Sequence, residues 1–130
     1  MRQELDIALV NKHPEIFRDR YGDARETAMC WGFDCGDGWY HIIDEACGAI
    51  QRHVTQKNLA QVVATQVKEK YGTLRLYVNH EDEFISGVIA MAESMSAVTC
   101  ETCGNPGTSR GRQWMRTLCD QHAKEQGYEA

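Results

Sequence analysis

The sequence predicts an α+β fold: helices and a β-hairpin, closed at the C-terminal end by a small zinc finger. Three observations carry this. Apolar residues recur at helical spacing from Trp39 to Val54. They alternate with polar ones on both sides of Tyr71-Gly72. Four metal-ligating side chains then follow as Cys100-x-x-Cys103 and Cys119-x-x-His122. With 130 residues, one domain spanning 1–130 is expected, its core in 1–99 and its metal-binding part in 100–126.

The elements follow in chain order. Leu5, Ala8 and Leu9 put a helix over residues 3–10. Pro14 suits the first position of a second helix, Pro14 to Arg20, with Ile16 and Phe17 inward. Gly22, Gly32, Gly36 and Gly38 mark a long loop with Trp31 and Phe33 inside it. Asp37 is placed to cap the next helix. From Trp39, apolar residues stand at 42, 43, 46, 47, 50 and 54, one continuous stripe for a helix over about 38–54. Cys47 lies on that stripe and reads as core.

Around Tyr71-Gly72 the period becomes two. A two-residue turn there pairs Lys70 with Thr73, Glu69 with Leu74, Lys68 with Arg75, Val67 with Leu76 and Gln66 with Tyr77. Val67, Leu76, Thr65 and Val78 then face the core. Asp82 caps a last long helix over 83–98, its expected core Phe84, Ile85, Val88, Ile89, Ala92 and Met95.

Three thiolates and an imidazole are the donor set of a closed tetrahedral zinc site. Fifteen residues separate the two ligand pairs, and Gly104 lets the chain turn tightly after Cys103. Arg112 to Leu118 is suited to a short strand, and Cys119 and His122 share a face if a helix begins there. Knuckle, short strands and a ligand-bearing helix are the parts of a treble clef; a zinc ribbon is the alternative. One structural zinc is expected on Cys100, Cys103, Cys119 and His122. Cys30 and Cys35 with His41 offer three ligands of a second site, with Asp34 or Asp37 as the fourth.

No apolar run approaches membrane-spanning length. Met1 to Asp6 has no signal-peptide architecture, which points to a reducing cytoplasm where cysteines bind metal or stay free. Net charge is −5, which argues against a general nucleic-acid coating protein. The charge is uneven, however. Residues 1–50 hold ten acids against five Lys and Arg, residues 51–80 one acid against five, and residues 81–99 four acids and no base. Lys68, Lys70, Arg75 and Tyr77 would share the outer face of the hairpin. Arg110, Arg112, Trp114 and Arg116 lie between the ligand pairs. Both groups are candidates for a phosphate-bearing or acidic partner. Like charges set opposite each other destabilise a sheet unless something neutralises them, and Glu81-Asp82-Glu83 is the local source. A nucleophilic Cys35 served by His41 or His53 lacks the orienting third group that catalysis needs. No P-loop, dinucleotide fingerprint or HExxH occurs.

Three separated motifs together resemble small proteins encoded by bacteriophages and prophages: Cys35-Gly36-Asp37-Gly38-Trp39 entering a helix, Gln66 to Arg75 on the hairpin, and the terminal CxxCG…TLCxxH. The resemblance spans about residues 30–123, and Cys30 stands outside its pattern. It implies a zinc-binding phage protein in the bacterial cytoplasm and brings no catalytic residue with it. The expected function is non-enzymatic: binding and inhibiting a host protein, such as a component of bacterial immunity. The alternative is a nucleic-acid-binding accessory protein using the two basic groups.

Overall fold

In the computed structural model, which describes residues 1–128, the core is built around one helix. Helix α1 is Gln3–Lys12, strand β1 Phe33–Asp34 and helix α2 Tyr40–Gln56. Strands β2 and β3 are Ala64–Lys70 and Thr73–Val78, and helix α3 is Glu83–Ser96. The finger adds β4 (Thr108–Arg110), β5 (Arg116–Leu118) and α4 (Asp120–Glu125). Helix α2 forms as its stripe predicts. Trp39, Ile43, Cys47 and Ile50 are fully buried, and Ile42, Ala46 and Val54 nearly so. Each such large aliphatic side chain contributes about 1.5–3 kcal/mol by leaving water.

The hairpin adopts the five predicted pairs from Lys70–Thr73 to Gln66–Tyr77. Tyr71 and Gly72 have φ of 54° and 80°, the left-handed pair that a two-residue turn requires, and Gly72 supplies it without a Cβ penalty. Beyond Gln66 the register shifts: Ala64, not Thr65, faces Val78. This bulge turns Ala64 into the core. A third strand, β1, pairs in parallel with β2 through Phe33↔Val67 and Asp34↔Lys68, giving the order β1-β2-β3. Helix α3 covers the open edge of β3, where Leu74 donates its N–H to Ser96 Oγ at 2.8 Å.

Three expectations are corrected. Pro14 to Arg20 is a run of turns, not a helix, with Phe17 N–H donating to His13 O and Arg20 N–H to Phe17 O. It still buries Ile16 and Phe17, because two inward side chains need no regular helix. Asp37 does not cap α2. It opens a short 3-10 turn, Asp37–Trp39, and its carboxylate accepts from the Arg2 N–H at 2.8 Å. Asp82 does cap α3, accepting from Ile85 N–H at 2.9 Å. Of the core predicted for α3, Ile85 and Ala92 are buried and Val88 and Ile89 half-buried, but Phe84 and Met95 are 49% and 48% exposed. They belong to an apolar face that stays open among the described residues.

Candidate metal centre

Cys100 and Cys103 lie on a knuckle and Cys119 immediately before α4, which carries His122. The knuckle is closed by backbone bonds: Gly104 N–H to Cys100 O at 2.9 Å and Cys100 N–H to Asn105 O at 2.7 Å. Gly104 holds the turn at φ 82°. Strands β4 and β5 then pair antiparallel from Thr108↔Leu118 to Arg110↔Arg116 and return the chain to Cys119. Arg112 to Met115, expected at the start of a strand, form the loop between them. Knuckle, hairpin and helix follow one another in the order of a treble clef.

The four ligand atoms lie within 4.8 Å of one another, close enough to hold a metal ion. Cys103 Sγ to Cys119 Sγ is 3.9 Å, Cys100 Sγ to His122 Nδ1 3.7 Å and Cys119 Sγ to His122 Nδ1 3.3 Å. A tetrahedral ion with metal–sulfur bonds of about 2.3 Å sets edges of roughly 3.5–3.8 Å, so the donors fit such an ion. His122 presents Nδ1 inward, while its Nε2 faces Glu125 at 3.7 Å. Burial opposes ionisation of Cys100, but backbone N–H groups of Cys119, Cys103 and Thr102 point at its sulfur and bring its thiol down from 9.0 to about 6. Metal-binding sulfurs must be thiolates, so this polarity favours capture at Cys100, whereas burial and the adjoining thiols push the Cys103 thiol up.

The knuckle has a seat, made by the Cys35-Gly36-Asp37-Gly38-Trp39 motif. Gly38 N–H donates to Glu101 O at 2.7 Å, and Trp39 Nε1–H donates to Thr99 O at 2.9 Å. A Cβ on Gly36 would overlap the carbonyl oxygen of Glu101, and one on Gly38 that of Cys100. Only glycine lets the two backbones approach so closely. Glu101 is 2% exposed, accepts from Gly36 N–H at 2.9 Å and pairs with Arg116 at 3.0 Å. Burial pushes its carboxyl up, and Arg116 works against that shift. Thr117 Oγ1–H adds a bond to Gly72 O at 2.7 Å, tying β5 to the hairpin turn. Residue order gave no sign of Glu101. The glycine-rich motif was visible, but its partner lies more than sixty residues away in sequence.

The basic residues separate into engaged and free. Arg110 pairs with Asp120 at 2.8 Å and donates to Leu118 O, and Arg116 holds Glu101. Arg75 pairs with Glu93 of α3 at 2.8 Å, and Lys68 stands beside Asp34 across β1. The acid that neutralises Arg75 is thus Glu93, not Glu81 to Glu83. Lys70 lies over the Tyr71 ring at 5.7 Å, and Tyr77 is 41% exposed. Arg112 is exposed and Trp114 is 82% exposed at the tip of the finger.

Cys30, Cys35 and His41 do not assemble. Among the described residues, the C-terminal four form the one group of three or more potential ligands close enough to share an ion. Cys35 is buried, and desolvation, helped by the Glu101 charge, pushes its thiol up to about 12, the opposite of activation. His53 instead bonds Asp82 at 2.6 Å and stacks on Phe84. Among the described residues, no helix is long and apolar enough to cross a membrane.

The comparisons with known proteins add no relative: no family model matches the chain, and no curated protein or solved structure is similar to it.

Proposed function

We propose that this chain is a zinc-stapled binding protein of phage type that docks on a host protein in the bacterial cytoplasm and blocks it, a component of bacterial immunity being the class of target. Four protein ligands complete a tetrahedral set, which leaves no position for a reacting water and makes the zinc structural. The zinc would neutralise two of the three thiolate charges and hold knuckle and helix together.

The observation that carries the binding role is the apolar groove between α2 and α3. Its volume is about 580 Å³, and Phe84, Met91 and Met95 stand open along it. Apolar patches of this kind on a small protein mark interaction sites. The test is affinity capture from the native host, with and without nuclease. A specific protein captured in both arms supports the reading, and no captured protein overturns it. The metal assignment has its own check: native mass must exceed the chain by one zinc, and Cys103→Ser must lose it. A native protein without metal would exclude the staple.

A second reading is favoured by the free Arg112 and Trp114 at the finger tip, with Lys68 and Lys70 as further cations: a nucleic-acid accessory protein. Its signature is binding to DNA or RNA that weakens steeply as salt rises.

A further inference from the structure

We infer that the α2–α3 groove is the docking site for a single amphipathic helix of a partner protein, one that carries Lys or Arg beside its apolar stripe. This rests on the protein-binding reading above and names the chemistry of the partner.

The floor of the groove is Ile42 and Ala46 of α2 with Ala92 of α3, all buried. The wall is a row on α3, continued past its end by Val98 in the turn that follows. Phe84, Met91, Met95 and Val98 are 49%, 62%, 48% and 63% exposed, with half-buried Val88 between them. Positions 84, 88, 91, 95 and 98 alternate steps of four and three, the spacing of a helix seam awaiting a second helix. Gly87 adds no side chain, and a Cβ there would meet nothing within 4 Å, so the groove stays open at its middle. The fourteen residues of α3 give a track of about 21 Å, three to four turns of a partner helix. Two methionines supply side chains that adapt their shape to what they meet.

Charge decides between occupants. The groove is flanked by Glu45 on α2 and Glu83 on α3, with no Lys or Arg in its lining, while Asp82, the cap of α3, and Glu93 on it are already held by His53 and Arg75. A second copy of this chain would bring the same acids against each other along α3, which like-charge repulsion opposes. A helix with basic flanks meets both rims with opposite charge while its apolar residues enter the groove.

The experiment is selection of a displayed library of helical peptides on the full-length, metal-loaded protein. The M91Q/M95Q double variant serves for counter-selection. Both methionines are exposed, so the variant should keep its fold, as an unchanged melting temperature would verify. Enriched peptides are expected to carry apolar residues three and four apart with Lys or Arg beside them. Their affinity should fall at least about tenfold on M91Q/M95Q and by a similar factor on the charge reversal E45K/E83K. The inference is overturned by no enrichment, by enriched peptides without basic residues, or by affinity unchanged in these variants. A dimer of the wild type that M91Q/M95Q disrupts would also overturn it and make a second copy the occupant. If the native host partner still binds M91Q/M95Q, the groove assignment falls while the binding reading stands. If no host protein binds either form, both fall.

Discussion

Two regions of this chain reach stability by different routes. Among the described residues, twenty buried apolar side chains form the main core, six on α2 itself and the rest from the elements and loops between α1 and α3. The finger buries three: Cys100, Leu118 and Ala123, with Cys119 and Tyr128 packed beside them. Three residues cannot offset the ordering of some twenty-five, since fixing each backbone residue costs about 1–2 kcal/mol. An ion on the four ligands, the backbone bonds to the Gly36–Gly38 seat and the Glu101–Arg116 pair would have to supply the rest. The contrast teaches that a metal site can be essential to its own segment and incidental to the fold beside it.

Removing the metal is the strongest way to break that contrast. Structural zinc is worth about 10–16 kcal/mol to a small finger, so chelation should unfold residues near 100–126 and leave α2 and the β2–β3 hairpin folded. Hydrogen exchange would show protection lost in the finger alone. Collapse of α2 on chelation would show that the two regions form one cooperative unit.

Ile43→Ala attacks the other side. Ile43 is fully buried on α2, and its truncation should cost about 2–5 kcal/mol by denaturant unfolding. Zinc stoichiometry of the folded variant should stay at one. Loss of metal binding in folded Ile43→Ala would mean that the core shapes the site directly.

The junction is probed by one substitution at two glycines. Gly38→Ala forces a methyl into the Cys100 carbonyl and should cost about 1–3 kcal/mol, read as earlier release of zinc to a chelator. Gly87→Ala on the open face of α3 meets nothing and should stabilise by up to about 1 kcal/mol. Equal effects at the two positions would remove the seat from the explanation.

The smallest effect is one of pH. The hydrogen bond from His53, then that from the Ile85 N–H, holds the Asp82 carboxyl below 3.8. A depressed acid contributes stability that is present above its unfolded value and is lost as pH falls below it. The melting temperatures of wild type and Asp82→Ala should therefore differ at neutral pH and converge as pH drops through 3.8 and lower. A gap that persists at the acid end would place the cap's contribution outside its charge.

Much of this was legible in residue order, for local reasons. The α2 stripe and the Tyr71-Gly72 turn each specify their element within a few residues, and the ligand spacing specifies the finger. The misses arise where the deciding partner is distant. Strand β1 is two residues long and exists because β2 offers it an edge. Phe84 and Met95 follow a helical period, but period does not say whether another element will cover them. The role of Gly36 and Gly38 depends on a knuckle that no local pattern brings near. Arg110 and Arg116 look like free cations until Asp120 and Glu101 arrive beside them.

The seat of the knuckle also imposes an order in time. On the ribosome, Gly36, Gly38 and Trp39 emerge about sixty residues before Thr99 and Glu101, and chains fold as they are made. Every residue of the core, up to Ala92, is made before the first ligand, Cys100. His122 comes last of the four ligands, so an ion that needs all four could be held only late, beside a seat made long before.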